Sequence, residues 1–266
     1  MATFPRLPVQ QVLGDLARQD LLGAVEELTD SGRYVAVERA ADDPDLVDTE
    51  AAIALLAASG LASVAEVILP ASLPLTDATA FDGLCAQARD QGVPLTVTAI
   101  DAVDACLSAV AGQRAMGRDV GVALAAALRR TEADCREAGG RIRIMKGTAS
   151  GPDAFGHAIE VDKSYVRCAK ALLRRGADVT PSFATHDGRL IEIIESLAVR
   201  FEREHGPTDL EFVMPLGRGA TMQQRLIDSG ARVRVVIPFG PGWVGRFVSA
   251  LPDRPVSFLR SLIPGA

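Results

Sequence analysis

A glycine followed at once, or within a few residues, by a β-branched run recurs eight times along the 266-residue chain. The pairs are Gly32 with RYVAVE, Gly60 with AEVILPA, Gly92 with VPLTVTAI, Gly117 with RDVGVALAAAL, Gly139 and Gly140 with RIRIMKG, Gly176 with ADVTPSFAT, Gly206 with PTDLEFVMP, and Gly230 with ARVRVVIPFG. Glycine is the usual residue just past a helix end, because it takes positive φ without a Cβ penalty. The segments between carry apolar residues at helical spacing. Examples are Leu21, Leu22, Val25 and Leu28, then Val161, Tyr165, Cys168, Leu172 and Leu173. The stripe Leu190, Ile191, Ile194, Leu197 and Phe201 predicts the longest helix, and Trp243 to Leu251 a closing one. Thr76 and Asp101 are the expected caps of the helices that follow them. Eight such units, in a chain near the ~250 residues typical of the fold, predict an α/β protein with a closed (β/α)₈ TIM-type barrel. An open doubly wound sheet is the alternative; no GxGxxG follows the first strand to support it.

No Pro/Gly/Ser linker divides the sequence, so one domain is expected over 1–266, with 1–31 as a helical lead-in. Hydrophobic residues make up 48% and aromatics 5%, which predicts an aliphatic core. A net charge of −6 argues against nucleic acid as a partner. Cys85, Cys106, Cys135 and Cys168 form no CxxC pair, so neither a metal site nor a disulfide framework is expected. Reduced thiols and an N-terminus without a signal-peptide pattern predict a cytoplasmic protein. No uncharged apolar run approaches the roughly 20 residues of a spanning helix; contact with a membrane surface stays open.

Arg141–Ser150, RIRIMKGTAS, alternates cations with apolar residues and then turns at Gly147. Such alternation predicts a strand with unlike faces. Arg143 and Lys146 are expected where that strand gives way to its loop, the end of the sheet where ligands bind. They would offer positive charge to a phosphate or an electron-rich ring; the alternative is that Arg141 and Arg143 are merely solvated or paired with acids on a helix. Other strand ends offer Glu38 and Arg39, Thr185, His186 and Asp187, and Gly240 with Gly242. Backbone N–H groups at a glycine-rich helix start favour anions. Glu38 and Glu211 are the acids expected on the strands, too few and too isolated for a glycosidase pair.

Several of these segments, in order, resemble the proline dehydrogenase family of flavin-linked (β/α)₈ enzymes. RIRIMKGTA resembles its RLVKGAY, EVDKSYVRCAKALL its EVDxxY helix, and FATHD its ATHN. EFVMPLG, VRVVIPFG and DRP resemble EFQMLxG, VRIYVPYG and ERP, and GVALAAALRRTEAD resembles GIVLQAYLRRTxxD. The resemblance implies FAD over the barrel, with Arg143 near the reactive nitrogen of the ring as the catalytic cation. It implies Lys146 and Gly147 beside the pyrophosphate, and Thr185, His186 and Gly240 on the phosphate and adenine side. The implied reaction is hydride removal from the carbon next to an amine nitrogen, with electrons passing to a quinone or another acceptor.

Departures from the family pattern fall mostly on the substrate side. The two adjacent arginines that hold a substrate carboxylate read Ser249 and Ala250 here. The strand-eight tyrosine is Val236, the strand-four glutamine Ala125, the strand-three acids Thr98 and Ile100, and the strand-two lysine falls near Leu69. A lost carboxylate clamp costs roughly 1.5–3 kcal/mol per charged hydrogen bond. Free proline should therefore bind poorly unless Arg246 or Arg39 replaces the clamp, with Arg246 and Ser249 as the substrate-side candidates. A proline-related or modified amino-acid amine is the expected substrate. Two other readings stay open: a non-catalytic relative that keeps the barrel for binding, and an aldolase-like enzyme with Lys146 as Schiff-base amine.

Overall fold

The computed structural model of the protein describes residues 21–39, 46–201 and 210–239. Eight parallel strands close into a barrel in chain order. They are β1 (Tyr34–Arg39), β2 (Ala65–Pro70), β3 (Leu95–Ala99), β4 (Val120–Ala125), β5 (Gly140–Met145), β6 (Val179–Ala184), β7 (Glu211–Pro215) and β8 (Arg232–Phe239). Closure is made by β1 against β8, with Val35 opposite Val235 and Val37 opposite Ile237. Helix α1 covers 21–30. The others are α2 (Leu46–Ala58), α3 (Ser72–Thr76), α4 (Ala78–Gln91), α5 (Val103–Ala115), α6 (Thr131–Glu137), α7 (Ala158–Leu173), α8 (Gly188–Arg200) and α9 (Ala220–Asp228). The rest of the expected lead-in, Gly206, and the Trp243–Leu251 helix lie outside the described residues.

The strands form because their outward faces are aliphatic. Val35, Val67, Leu95, Val122, Ile142, Ile144, Phe183, Phe212 and Val233 are fully buried against the helices. Each such side chain contributes about 1.5–3 kcal/mol on burial. The helices answer with their own stripes, Ile53 and Leu56 on α2, Leu172 and Leu173 on α7, Ile191 and Ile194 on α8. The described glycines expected at the helix-to-strand turns, Gly139 apart, have positive φ, as Gly32 (80°) and Gly230 (86°) illustrate.

Some local expectations are corrected. Asp77, one residue beyond Thr76, caps α4 by accepting from Ala80 N at 2.8 Å, because Thr76 closes the short helix α3 and bonds back to Ser72 O. Asp101 does not cap α5; the cap position is Ala102, held at φ 44° with no side-chain bond. The longest described helix is α7, at 16 residues, not α8, at 13, which stops at the Phe201 cap.

Candidate active site

Side chains alternate across a strand, so the face opposite the aliphatic core lines the barrel interior. That face carries charge. Glu66 on β2 is fully buried and accepts from Arg143 Nη2, from Arg141 Nη1 at 2.9 Å and from Thr96 Oγ1 at 3.1 Å. Glu211 on β7 accepts both carboxylate contacts of Arg234 Nε at 3.0 Å, and Arg232 pairs with it at 3.0 Å. Arg143 bridges the two acids, standing 3.6 Å from Glu211. Arg232 also stacks over Tyr34, 3.8 Å from the ring centre. Room for this cluster comes from Gly121: a Cβ there would lie 2.9 Å from Thr96 Oγ1 and 3.2 Å from Arg141 Nη1. Glycine inside a strand often marks such close approach.

Burial by itself would raise the Glu66 carboxyl. The guanidiniums of Arg143, Arg234 and Arg141 outweigh it and hold Glu66 well below the usual carboxylate range. With Asp119, which meets Arg141 at 2.7 Å, four guanidiniums face three carboxylates, leaving one net positive charge. Arg143 is the cluster member nearest the C-terminal mouth on β5. Its Nε donates to Ser182 Oγ at 3.3 Å, and its Nη1 is buried with no hydrogen-bond partner. At the mouth, Glu38 is accessible yet hemmed in by the rim. Desolvation raises its carboxyl, and Arg143 partly offsets the rise.

Lys146 follows the end of β5 and belongs to a second cluster. Its ammonium lies 2.7 Å from Asp162 on α7 and 3.5 Å from Asp187 ahead of α8. Asp187 also pairs with Arg189 at 3.2 Å, which lowers its carboxyl. Three sequence segments thus converge on one point: RIRIMKG, EVDKSY and FATHD. Tyr165 of the second segment is fully buried and its hydroxyl donates to Ile144 O at 3.4 Å, tying α7 to β5. Gly147 has φ +66°, and a Cβ there would sit 2.6 Å from Ala125 Cβ. Ala126 N and Ala127 N bond to Met145 O and Lys146 O, which presses the two loops together.

Of the expected site residues, Arg143, Lys146 and Gly147 gather at the upper part of β5. Arg143 is not at the strand-to-loop junction; it points inward from mid-strand, because it shares the inner face with Arg141. Arg141 is the structural cation, paired with Glu66 and Asp119. Thr185 is buried and its Oγ1 accepts from Asp187 N at 3.1 Å, so it shapes the loop that presents exposed His186. Gly240, Arg246 and Ser249 lie outside the described residues. Glu66 is the residue the sequence reading missed: it is a third acid on the strands, beside Glu38 and Glu211. Leu69 faces the helices and not the interior, so its inward neighbours Ile68 and Pro70 line that strand. Among the described residues no group of His, Cys, Asp and Glu is arranged to hold a metal, and no helix is long and apolar enough to cross a membrane.

Fold and site together define a closed (β/α)₈ barrel with a buried cation cluster under its C-terminal mouth. The family model described as Proline dehydrogenase matches residues 154–243. Proline dehydrogenase 2 of Bacillus subtilis (strain 168) is 32% identical over 143 residues, 51% of this chain and 45% of that protein. The Proline dehydrogenase of Deinococcus radiodurans is 32% identical over 118 residues, 43% of this chain and 36% of that protein. The matched stretch is thus less than half of either relative. In fold, the chain is similar to proline utilization A from Bdellovibrio bacteriovorus inactivated by N-propargylglycine, with a TM-score of 0.76 at 15% identity over 96% of this chain and 34% of that one. Proline utilization A from Corynebacterium freiburgense gives 0.66 at 14% identity, over 92% and 32%. Over about half of its length, the chain is similar in sequence to proline dehydrogenases.

Proposed function

We propose that the chain is an FAD-dependent oxidoreductase of proline dehydrogenase type, which removes a hydride from the carbon next to an amine nitrogen. The observation that carries this is the Nη1 of Arg143, buried without a partner beneath the mouth. A buried donor left unpaired costs about 1–3 kcal/mol. An acceptor on an electron-rich ring would recover that, so the ring side of a flavin fits. The phosphate side fits less completely, since Lys146 already holds two carboxylates and would have to share them. A flavin bound there would supply the hydride acceptance itself. Arg143 would polarise the ring from below, oriented by Glu66, Glu211 and Ser182. Lys146 and Gly147 would lie beside the pyrophosphate, with Thr185, His186 and Gly240 toward the adenine.

Arg246 and Ser249 are the substrate-side residues of the same proposal, and a proline-related or modified amino acid is its substrate. Delivery of electrons to a quinone or another acceptor, and a cytoplasmic location, belong with it. Inward-facing Ala36, Ile68, Ala123, Ala125 and Val236 are uncharged, and Glu38 at the mouth is acidic. They supply no counter-ion for a free carboxylate. The test is to titrate purified protein with FAD, then to add proline or proline amide without oxygen and follow the visible absorbance. A one-to-one yellow complex bleached faster by the amide is expected. A complex bleached by neither leaves the non-catalytic reading, which the occupied Lys146 favours. The Schiff-base reading loses ground on the same contact: it needs a free neutral amine in a dry pocket, and Lys146 is 39% exposed and ion-paired.

A further inference from the structure

The outer face of α6 and α7 carries a groove of about 440 Å³ lined by Glu132, Arg136, Arg167, Lys170, Ala171, Arg174 and Arg175. Five cations and one acid give it a charge of +4 (5 − 1), while the whole chain carries −6, so the remainder carries −10 (−6 − 4). The groove is therefore an electropositive exception on an acidic molecule. Glu132 is already shared by Arg136 and Arg167. The other three cations have no carboxylate among the described residues. Arg175 donates to the carbonyls of Ala138 and Cys135, Arg174 lies 5.4 Å from the Phe201 ring centre, and Lys170 lies one turn before Arg174 on α7. Arg167, Lys170, Ala171 and Arg174 follow at i, i+3, i+4 and i+7, one face of the helix.

We propose that this groove binds a small oligophosphate, such as a nucleoside triphosphate or inorganic tripolyphosphate, at a site separate from the barrel mouth. Guanidinium forks match phosphate oxygens in pairs, and an ammonium supplies a point charge beside them. The volume falls in the range of small-molecule pockets, about 300–1,000 Å³. The cationic face from Arg167 to Arg174 is about 10 Å long at 1.5 Å per residue. That length suits a compact oligophosphate. An acidic peptide, at about 3.3 Å per extended residue, would run past both ends after a few residues. Carbonyl-anchored Arg175 and ring-stacked Arg174 are partly pre-ordered, which lowers the entropy lost on binding.

The test measures binding of ATP and of tripolyphosphate by calorimetry at 50 and 200 mM salt, for the unmodified chain, for Lys170→Gln/Arg174→Gln, and for Arg89→Gln as a surface control. Binding of both ligands, weakened at least tenfold by the double variant and by higher salt but not by the control, is expected. Retention of the far-ultraviolet spectrum and melting temperature in the double variant shows that its loss is local. Absence of binding, or binding indifferent to the double variant, overturns the proposal. So does binding confined to vesicles containing anionic lipid, which would assign the groove to a membrane surface. FAD titration of the double variant is a separate readout: it should be unchanged, and parallel loss would place the FAD phosphates in the groove and overturn the proposal of a site separate from the mouth.

Discussion

Two cations three positions apart, one on β5 and one just past its end, have opposite surroundings. Arg143 is buried in a cluster of acids and arginines from three other strands, whereas Lys146 is 39% exposed and answers two acids on the rim. The first is an internal structural charge with one donor left over. The second is a surface pair that water can replace. Buried charges of this kind demand partners: removal of one leaves the rest uncompensated, at a cost of about 3–5 kcal/mol. Exposed pairs contribute about 0–1 kcal/mol. The strand therefore holds stability, and the loop it runs into holds exchangeable charge.

Glu66→Ala should break this comparison most severely. It strands Arg141 and Arg143, and a loss of about 3–5 kcal/mol would lower the melting temperature by roughly 10 °C. A change below about 1 kcal/mol in urea unfolding would mean that the cluster is not the internal brace described here.

Acid sharpens the same point. Glu66 is held below its unfolded value, near 4.3 for a free glutamate, so its stabilisation is complete above that value and drains away as pH falls toward the folded one. The stability gap between the unmodified chain and Glu66→Gln should be widest at neutral pH. It should narrow from about pH 5 down to pH 2; a gap constant across that window refutes the ion-pair account.

Gly147→Ala should cost about 1–3 kcal/mol, from its positive φ and its contact with Ala125. Ala125→Gly added to it should return the steric part only. Full recovery in the double variant would show that backbone strain plays no role there.

Lys146→Ala should be the mildest for stability, within about 1 kcal/mol by urea unfolding. On the proposed function it still weakens FAD binding about tenfold, one charged hydrogen bond's worth. An unfolding penalty without a binding penalty would reverse the roles assigned to the two clusters.

The barrel was legible because its cause is local and repeated. Glycine at a helix end and an aliphatic strand face are written in neighbouring residues, and they recur. The rim was legible as three separate motifs, although the pairing of Lys146 with Asp162 and Asp187 was not. Of the interior cluster, Arg141, Arg143 and Glu211 were visible as strand charges, but their meeting with Glu66 was not. Glu66 sits in AEVILP, which scans as an ordinary buried strand, and its bonds reach Arg141 and Arg143 at sequence separations of 75 and 77. Alternation shows that two faces differ; it does not show which distant strands meet across a barrel. The cap at Asp77 was missed because α3 intervenes, a five-residue helix with too little periodicity to recognise.

The central claim is that the spare donor of Arg143 serves a flavin at the mouth. Its most direct test is fluorescence titration of FAD into the unmodified chain and into Arg143→Lys, which keeps the charge and removes the fork. A one-to-one complex is expected, loosened at least tenfold in the variant, whose melting temperature falls only modestly below that of the unmodified chain. No FAD binding by the unmodified chain, or equal affinity in both, would contradict it.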